Sequence, residues 1–233
     1  MKTNMAADSP EIVLIGGGGH GAELCSYFAD LAAAGWNGRL LGVLDDGKPA
    51  GPWLESQILG PLDALPRLLA ERPGRRIGYL TAVGGNELRR KLVERIEALG
   101  GEAVFPWTLR HPDAQVGRRV EIGTGTLLAP GTIVTTRSII GRQCILNIKA
   151  SVSHDCVIGD YANINPGATI CGSCRIGEGC FLGAGATVIN GISIGEGTIV
   201  GAGAVVLRDL PPHVTAVGIP ARITKHHGIT ARG

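Results

Sequence analysis

A histidine with a carboxylate directly after it stands in the second half of this 233-residue chain, in the run Ser153-His154-Asp155-Cys156. An imidazole exchanges protons near neutral pH, and a neighbouring carboxylate can orient it and increase its basicity. Adjacent residues of a strand point to opposite faces, so a bend must bring the two side chains together. We expect a general base at His154 with Asp155 as its partner; the alternative is an ordinary surface histidine.

A second group of candidate residues lies in the glycine run Gly16-Gly17-Gly18-Gly19-His20-Gly21. Its first, third and sixth residues satisfy G-x-G-x-x-G between a strand-like and a helix-like segment, a turn that brings backbone N–H groups and a helix N-terminus up to a phosphate. A complete dinucleotide fold needs two such halves, and only about one precedes the repeats described below. The run therefore favours a single nucleotide or a nucleotide-sugar diphosphate over NAD; the alternative is a turn without a ligand.

Two carboxylates, Asp45 and Asp46, end the second strand-like segment and would face the same crevice. Carboxylates at this position can accept hydrogen bonds from ribose hydroxyls. The alternative is a solvated turn.

The first half of the chain alternates between strand-like and helix-like segments. Apolar runs at Glu11–Ile15, Arg39–Leu44 and 77–83 predict strands, and residues 22–34 have helical character. Residues 87–99 are also helical in pattern, with Leu88, Leu92, Ile96 and Leu99 at near-helical spacing. The alternation favours a parallel α/β sheet.

The second half has a six-residue repeat. Steps of six from Val116 to Val206 meet sixteen residues, all of them Val, Ile or Leu. A small residue stands two positions before most of them and shares their strand face; Cys144, Cys156, Cys174 and Cys180 belong to this second series. We predict short strands that turn both residues inward, with the four cysteines as free, packed thiols.

Glycine follows many of the branched residues, which we attribute to bends that need special backbone angles. Six-residue strands joined by tight bends predict a parallel β-helix. We divide the chain into a Rossmann-like domain at 1–107 and a β-helix with a C-terminal tail at 108–233.

From about residue 12 to about residue 222, the chain resembles the bacterial nucleotide-sugar acetyltransferases, in which a small Rossmann-like domain precedes a left-handed β-helix of hexapeptide repeats. The resemblance rests on six segments: Gly17-Gly18-Gly19-His20-Gly21, Leu44-Asp45-Asp46, Val83-Gly84-Gly85-Asn86-Glu87, Asn147, Ser153-His154-Asp155-Cys156-Val157-Ile158-Gly159 and Val217-Gly218-Ile219-Pro220-Ala221-Arg222. The position after the histidine is often Glu in the family and is Asp155 here. Some members carry a second histidine where this chain has Asn163.

The resemblance implies an acetyl-CoA-dependent N-acetyltransferase acting on 4-amino-4,6-dideoxy sugars linked to UDP, GDP or dTDP, without a metal. It also implies a homotrimer with acetyl-CoA between adjacent β-helices, and His154 with Asp155 as the catalytic pair. The implied nucleotide-sugar contacts are Gly18, Gly19, His20, Asp45, Asp46, Gly84 and Asn147.

Three hexapeptides per coil, as in the family, would stack residues eighteen apart along one edge. His154 would then share an edge with Gly172 and Asn190 and point outward, whereas Ala184 and Ala202 would lie on another edge. Small residues there would let a thin pantetheine arm lie against the coil. We expect acetyl-CoA contacts at Asn163, Gly172, Ala184 and Ala202.

Composition argues against several other classes of protein. The formal charge is only +2 and no long basic stripe is present, which disfavours nucleic-acid binding. No apolar run could span a bilayer, and the polar first ten residues lack the order of a signal peptide, so we expect a cytoplasmic protein. We expect no zinc site. Two alternatives to the N-acetyltransferase remain: a sugar O-acetyltransferase with a sialic acid-like acceptor, and a non-catalytic β-helix binding protein.

Overall fold

The computed structural model describes residues 9–228, which form two compact units. The first unit contains residues 9–83 and 92–107, and the second contains residues 84–91 together with residues 108–228. The segment Gly84–Lys91 therefore groups with the repeats rather than with the preceding sheet. The domain boundary at residue 107 stays a prediction.

The first unit is built on a six-stranded sheet in the order β3-β4-β2-β1-β5-β6. All neighbouring strands are parallel except the hairpin β3–β4. The strands are β1 (Glu11–Ile15), β2 (Arg39–Leu44), β3 (Gly51–Trp53), β4 (Ser56–Gly60), β5 (Ile77–Thr81) and β6 (Val104–Pro106). The helices are α1 (Gly19–Ala33), α2 (Leu65–Ala70) and α3 (Asn86–Gly100), with 3-10 turns at Leu62–Ala64 and Gly101–Ala103. The parallel sheet is confirmed, but the short β3–β4 hairpin was not predicted.

Helix α3 buries a face that includes a charged residue. Arg89, Val93 and Ile96 are buried, whereas Leu88 is 53% exposed. The Arg89 guanidinium therefore takes a buried position on this helix. Its hydrogen bonds to backbone carbonyls are described below.

The second unit consists of stacked coils whose strands are mostly two residues long. They are β7 (Leu109–Arg110), β8 (Gln115–Val116), β9 (Glu121–Ile122), β10 (Leu127–Leu128), β11 (Ile133–Val134), β12 (Ile139–Ile140), β13 (Ile145–Leu146), β14 (Ser151–Val152), β15 (Val157–Ile158), β16 (Asn163–Ile164), β17 (Thr169–Ile170), β18 (Arg175–Ile176), β19 (Phe181–Leu182), β20 (Thr187–Val188), β21 (Ser193–Ile194), β22 (Ile199–Val200), β23 (Val205–Val206), β24 (Val214–Val217) and β25 (Arg222–His226).

These strands form three parallel sheets in which every third strand is a neighbour, so residues eighteen apart stand side by side. Ile140, for example, pairs with Ile122 on one side and with Ile158 on the other. The branched residues from Leu128 to Val206 are at most 3% exposed, and the four cysteines of the second series are free and fully buried. The parallel β-helix is therefore confirmed. The tail after the coils forms β25, which pairs antiparallel with β24.

The glycines that follow the branched residues are needed for a different reason from the one expected. Gly141 and Gly159 do not have positive φ. A Cβ at Gly141 would lie 2.6 Å from the backbone nitrogen of Asp160, so the next coil leaves room only for hydrogen. The left-handed conformation occurs two residues later instead. It recurs at every sixth residue from Arg119 to Gly203, fifteen positions of which seven are not glycine.

The two residues of β12 offer a direct test of this inward and outward alternation. Ile140 is 1% exposed and Ile139 is 47% exposed. We expect Ile140→Ala to lower the free energy of unfolding by about 2–4 kcal/mol, because it leaves a cavity between stacked coils. Ile139→Ala is the matched control and should cost less than about 1 kcal/mol. Urea denaturation at one protein concentration measures both; equal losses would contradict the assignment of faces.

Candidate functional site

The His154 corner lies between β14 and β15. Asp155 occupies one of the left-handed positions, with φ of 60°, a conformation that Asp adopts more readily than most residues. The turn brings the Asp155 carboxylate to the imidazole, with 2.7 Å between Nδ1 and Oδ2. His154 is 55% exposed. The bend that the sequence required is therefore the left-handed corner itself.

Arg137 is a third member of this group that sequence analysis missed. Its Nε donates to Oδ1 of Asp155 at 2.7 Å, and its Nη2 donates to Oδ2 at 2.8 Å. These bonds, followed by the bond from His154, hold the pKa of the Asp155 carboxyl well below its usual range. Arg137 stands eighteen residues before Asp155 and shares its left-handed conformation. The eighteen-residue stacking could have found it.

Gly172 lies directly against the His154 ring, one coil further along. A Cβ at this position would be 2.5 Å from Cε1 and 2.6 Å from Nε2 of the imidazole. The Ser173 N–H donates to the carbonyl of His154, which ties the two corners together. Gly172 therefore leaves room for the imidazole. The eighteen-residue stacking predicted that the two residues are neighbours, but not that a side chain at position 172 would collide with the ring.

In the first unit, the glycine run connects β1 to α1, and the carboxylate of Asp45 supports it. Oδ2 of Asp45 accepts from the Gly17 N–H at 2.6 Å, and Oδ1 accepts from the Gly47 N–H at 2.8 Å. Gly18 caps α1 without a side-chain hydrogen bond. A Cβ at Gly21 would meet the carbonyl oxygen of Gly16, so only glycine fits there.

Asp46 has a different set of partners. Its Oδ1 accepts from the Leu62 N–H at 2.8 Å and its Oδ2 from Arg95 at 2.6 Å. Arg95 also donates to Asp63. The backbone N–H of Leu62, and then Arg95, lower the pKa of Asp46. Asp46 therefore holds the segment after β4, whereas Asp45 holds the glycine run.

Two cationic or titratable side chains border the glycine run. His20 bonds Glu23 through Nδ1 at 3.1 Å, and its Nε2 is buried with no hydrogen-bond partner among residues 9–228. The Lys48 side chain crosses Gly17, where a Cβ would lie 3.0 Å from Cδ. Lys48 was not among the predicted site residues, because nothing in its spacing marks a loop lysine.

Gly84 and Asn163 are brought together within the second unit. The Asn163 Nδ2 donates to the Gly84 carbonyl at 2.8 Å, and its Oδ1 is buried without a hydrogen-bond partner in the described chain. Arg89 lies beside them, 1% exposed, and donates to the carbonyls of Gln143 and Tyr161. Burial lowers the pKa of Arg89 to about 10, so it stays protonated at neutral pH. Asn163, a predicted acetyl-CoA contact, thus bonds Gly84, a predicted contact of the nucleotide sugar.

The remaining predicted residues lie on other corners. Asn147 turns its Oδ1 to the N–H of Ile148 at 2.7 Å, as a residue that shapes its own turn does. Ala184 and Ala202 are exposed and stand eighteen apart, on the corner after β19 and β22 rather than on the His154 corner. Their acetyl-CoA contacts, like that of Asn163, stay predictions.

Residues 9–228 contain no group of three or more His, Cys, Asp or Glu side chains that could hold a metal ion. No helix in this part of the chain is long and apolar enough to cross a bilayer.

Both units resemble known proteins. Residues 11–96 match the model of the PglD N-terminal domain, and residues 173–208 match the bacterial transferase hexapeptide model (six repeats). PerB from Caulobacter crescentus, solved in complex with CoA and GDP-perosamine, is 36% identical, with a TM-score of 0.82 over 92% of this chain and 97% of PerB. The chain belongs to the family of nucleotide-sugar N-acetyltransferases.

Two further members of this family are similar. The acetyltransferase domain of PglB from Neisseria gonorrhoeae FA1090, solved with acetyl coenzyme A, is 31% identical, with a TM-score of 0.79 over 92% of this chain and 99% of that domain. UDP-N-acetylbacillosamine N-acetyltransferase of Bacillus subtilis (strain 168) is 39% identical over 117 residues, 50% of each chain. The match spans about half the length of that curated relative. Membership makes the fold a Rossmann-like domain followed by a left-handed β-helix.

Gly172→Ala tests the packing at the His154 corner. The added methyl group would sit 2.5 Å from the ring, and non-bonded carbon atoms prefer about 3.5 Å or more. We expect a crystal structure of the variant to show the imidazole displaced by about 1 Å and its bond to Asp155 broken. Asn190→Ala, on the same edge but one coil further, is the control and should leave the ring in place. An unmoved ring in Gly172→Ala would contradict this packing.

The lowered pKa of Asp155 predicts a pH dependence of stability. A carboxyl whose pKa is lower in the folded than in the unfolded protein stabilises the fold above the unfolded pKa, about 3.9. That contribution is lost as the pH falls through the folded value. We therefore expect the wild type to exceed Asp155→Asn in urea midpoint by a constant amount from pH 5 to 8, and the difference to shrink below about pH 4. A difference that grows on acidification would refute the assignment.

Proposed function

We propose that this chain transfers the acetyl group of acetyl-CoA to the 4-amino group of a nucleotide-linked 4-amino-4,6-dideoxy sugar, with His154 as general base. The observation that carries the proposal is the 2.7 Å contact between Nδ1 of His154 and Asp155, in a chain of the N-acetyltransferase family. When the Nδ1–H donates to the carboxylate, the lone pair of Nε2 is left to accept a proton.

The reaction follows from that tautomer. The sugar amine attacks the thioester carbonyl, a C–N bond forms, and Nε2 of His154 removes a proton from the nitrogen. The tetrahedral intermediate then breaks its C–S bond, and the proton passes to the departing CoA sulfur. Asp155, held ionised, stabilises the imidazolium that forms between the two steps.

Gly172 is proposed to stabilise the oxyanion through its backbone N–H. This N–H has no hydrogen-bond acceptor within residues 9–228, and the residue lies against the His154 ring. A backbone donor next to the base is suited to the oxygen that becomes negative in the tetrahedral intermediate.

The nucleotide sugar is proposed to bind at the glycine run. The uncapped start of α1 at Gly18 and Gly19 offers N–H groups to a diphosphate, and the free Nε2 of His20 offers a further contact. Lys48 adds a positive charge beside Gly17. Asp45 supports the glycine run and Asp46 anchors the segment after β4. A ribose hydroxyl bound to either carboxylate would therefore donate to an oxygen that already accepts a hydrogen bond from the protein. Gly84 and Asn147 stay predicted contacts of the nucleotide sugar.

Acetyl-CoA is proposed to lie between two β-helices of a homotrimer. His154 with Gly172 occupies one corner of the coil stack, and Ala184 with Ala202 occupies another. A cofactor held between two copies would touch one corner of each copy. It could therefore contact His154 and Gly172 of one copy and Ala184 and Ala202 of the other. The proposal also includes an acetyl-CoA contact at Asn163 and a cytoplasmic location.

The decisive experiment measures thiol release from acetyl-CoA against UDP-, GDP- and dTDP-linked 4-amino-4,6-dideoxy sugars. We expect turnover of one of them, reduced at least about 100-fold in His154→Ala. His213→Ala is the matched control, because His213 also pairs with a carboxylate, Glu196, at 3.2 Å on the coils.

Each other outcome has a definite meaning. Normal turnover in His154→Ala would overturn the general base. Acetylation of hydroxyl acceptors such as sialic acid alone would establish the O-acetyltransferase. No turnover with any acceptor would favour a β-helix that only binds.

A further inference from the structure

We propose that Arg137 is a positioning residue: it fixes the orientation of Asp155 and thereby decides which imidazole nitrogen of His154 carries the proton. The kinetic part of this inference rests on the proposed function of His154 as base. The structural part does not, because the state of the imidazole can be observed without turnover.

The Arg137 guanidinium and the Asp155 carboxylate meet side by side. Nε and Nη2 donate to the two different oxygens at 2.7 and 2.8 Å, the bidentate arrangement that allows the least rotation of a carboxylate. With its plane fixed, Oδ2 remains directed at Nδ1 of His154, 2.7 Å away. An Asp on an exposed corner would otherwise rotate about its side-chain bonds and present its oxygens to water.

The backbone also holds both partners. Arg137 and Asp155 each occupy a left-handed corner position, one coil apart. The Asp155 N–H donates to the Thr136 carbonyl at 3.1 Å, and the Thr136 hydroxyl donates to the Arg118 carbonyl at 2.7 Å. The spacing between the two side chains is therefore set by coil stacking.

A second arginine–aspartate pair shows what is particular to the first. Arg142 and Asp160 are also eighteen apart on a corner, with Nε of Arg142 donating to Oδ2 at 2.9 Å. The Asp160 Oδ1 accepts the backbone N–H of Arg142 at 2.9 Å, and no histidine bonds this carboxylate within the described chain. Both pairs support a corner, and of these two arginines Arg137 is the one whose carboxylate partner bonds an imidazole.

The charge of Arg137 has a second effect. The charged groups in contact at this corner are Arg137, Asp155 and His154; Arg118 and Arg119 occupy the same corner further back, and Gly172 and Ser173 ahead of it carry no charge. The guanidinium therefore balances the charge of the carboxylate that bonds the imidazole.

Two substitutions separate orientation from charge. Arg137→Gln removes both, so we expect kcat to fall about tenfold with an unchanged KM for acetyl-CoA. Arg137→Lys keeps the charge but loses the bidentate geometry, so kcat should fall here too. Arg142→Gln is the matched control and should change neither quantity.

A spectroscopic measurement tests the same inference without substrate. Long-range proton–nitrogen NMR distinguishes the two neutral imidazole tautomers, and His154→Ala identifies the signal. The wild type and Arg142→Gln should show His154 with the proton on Nδ1, and Arg137→Gln a mixture. An Arg137→Gln protein with the wild-type tautomer and the wild-type kcat would overturn the inference. A wild type that turns over no amino sugar, but whose tautomer depends on Arg137, would refute the proposed function and leave the positioning intact.

Discussion

Each corner of the β-helix from Arg119 to Gly203 has one residue in the left-handed backbone conformation, and the rest of the second unit depends on that constraint. The conformation recurs at each sixth residue from Arg119 to Gly203. It turns a two-residue strand into the next sheet and keeps the coil at eighteen residues. Only then do inward residues meet residues of the same kind above and below. The buried ladder is thus a consequence of backbone geometry as much as of hydrophobicity.

The same constraint produces the functional corner. A strand would send the side chains of His154 and Asp155 to opposite faces, whereas the left-handed Asp155 returns its carboxylate to the imidazole. Stacking then supplies Arg137 from the coil before and Gly172 from the coil after. The glycine run in the first unit is supported in a comparable manner, by Asp45 bonding to its backbone. In both places a carboxylate serves the protein's own geometry.

The features that the sequence predicts well are those that repeat. Sixteen branched residues in one phase are sufficient to establish the β-helix, and the strand–helix alternation is sufficient for the parallel sheet. Contacts between coils are harder to read. The role of Gly141 depends on backbone atoms of Asp160, and the buried Arg89 depends on carbonyls fifty-four and seventy-two residues away. The hairpin β3–β4 has strands of three and five residues, too short to show a period.

The inward cysteines give the coils a property unrelated to catalysis. Cys144, Cys156, Cys174 and Cys180 are fully buried, each directly before a different strand, and burial raises the pKa of Cys144 and Cys180 to about 12. An alkylating reagent needs a thiolate that it can reach, so each sulfur reacts only when its own part of the stack opens. The rates at which the individual thiols are labelled therefore record the order in which the coils separate. The chain carries, in its natural residues, a set of reporters on whether the β-helix unravels from an end or opens as one body.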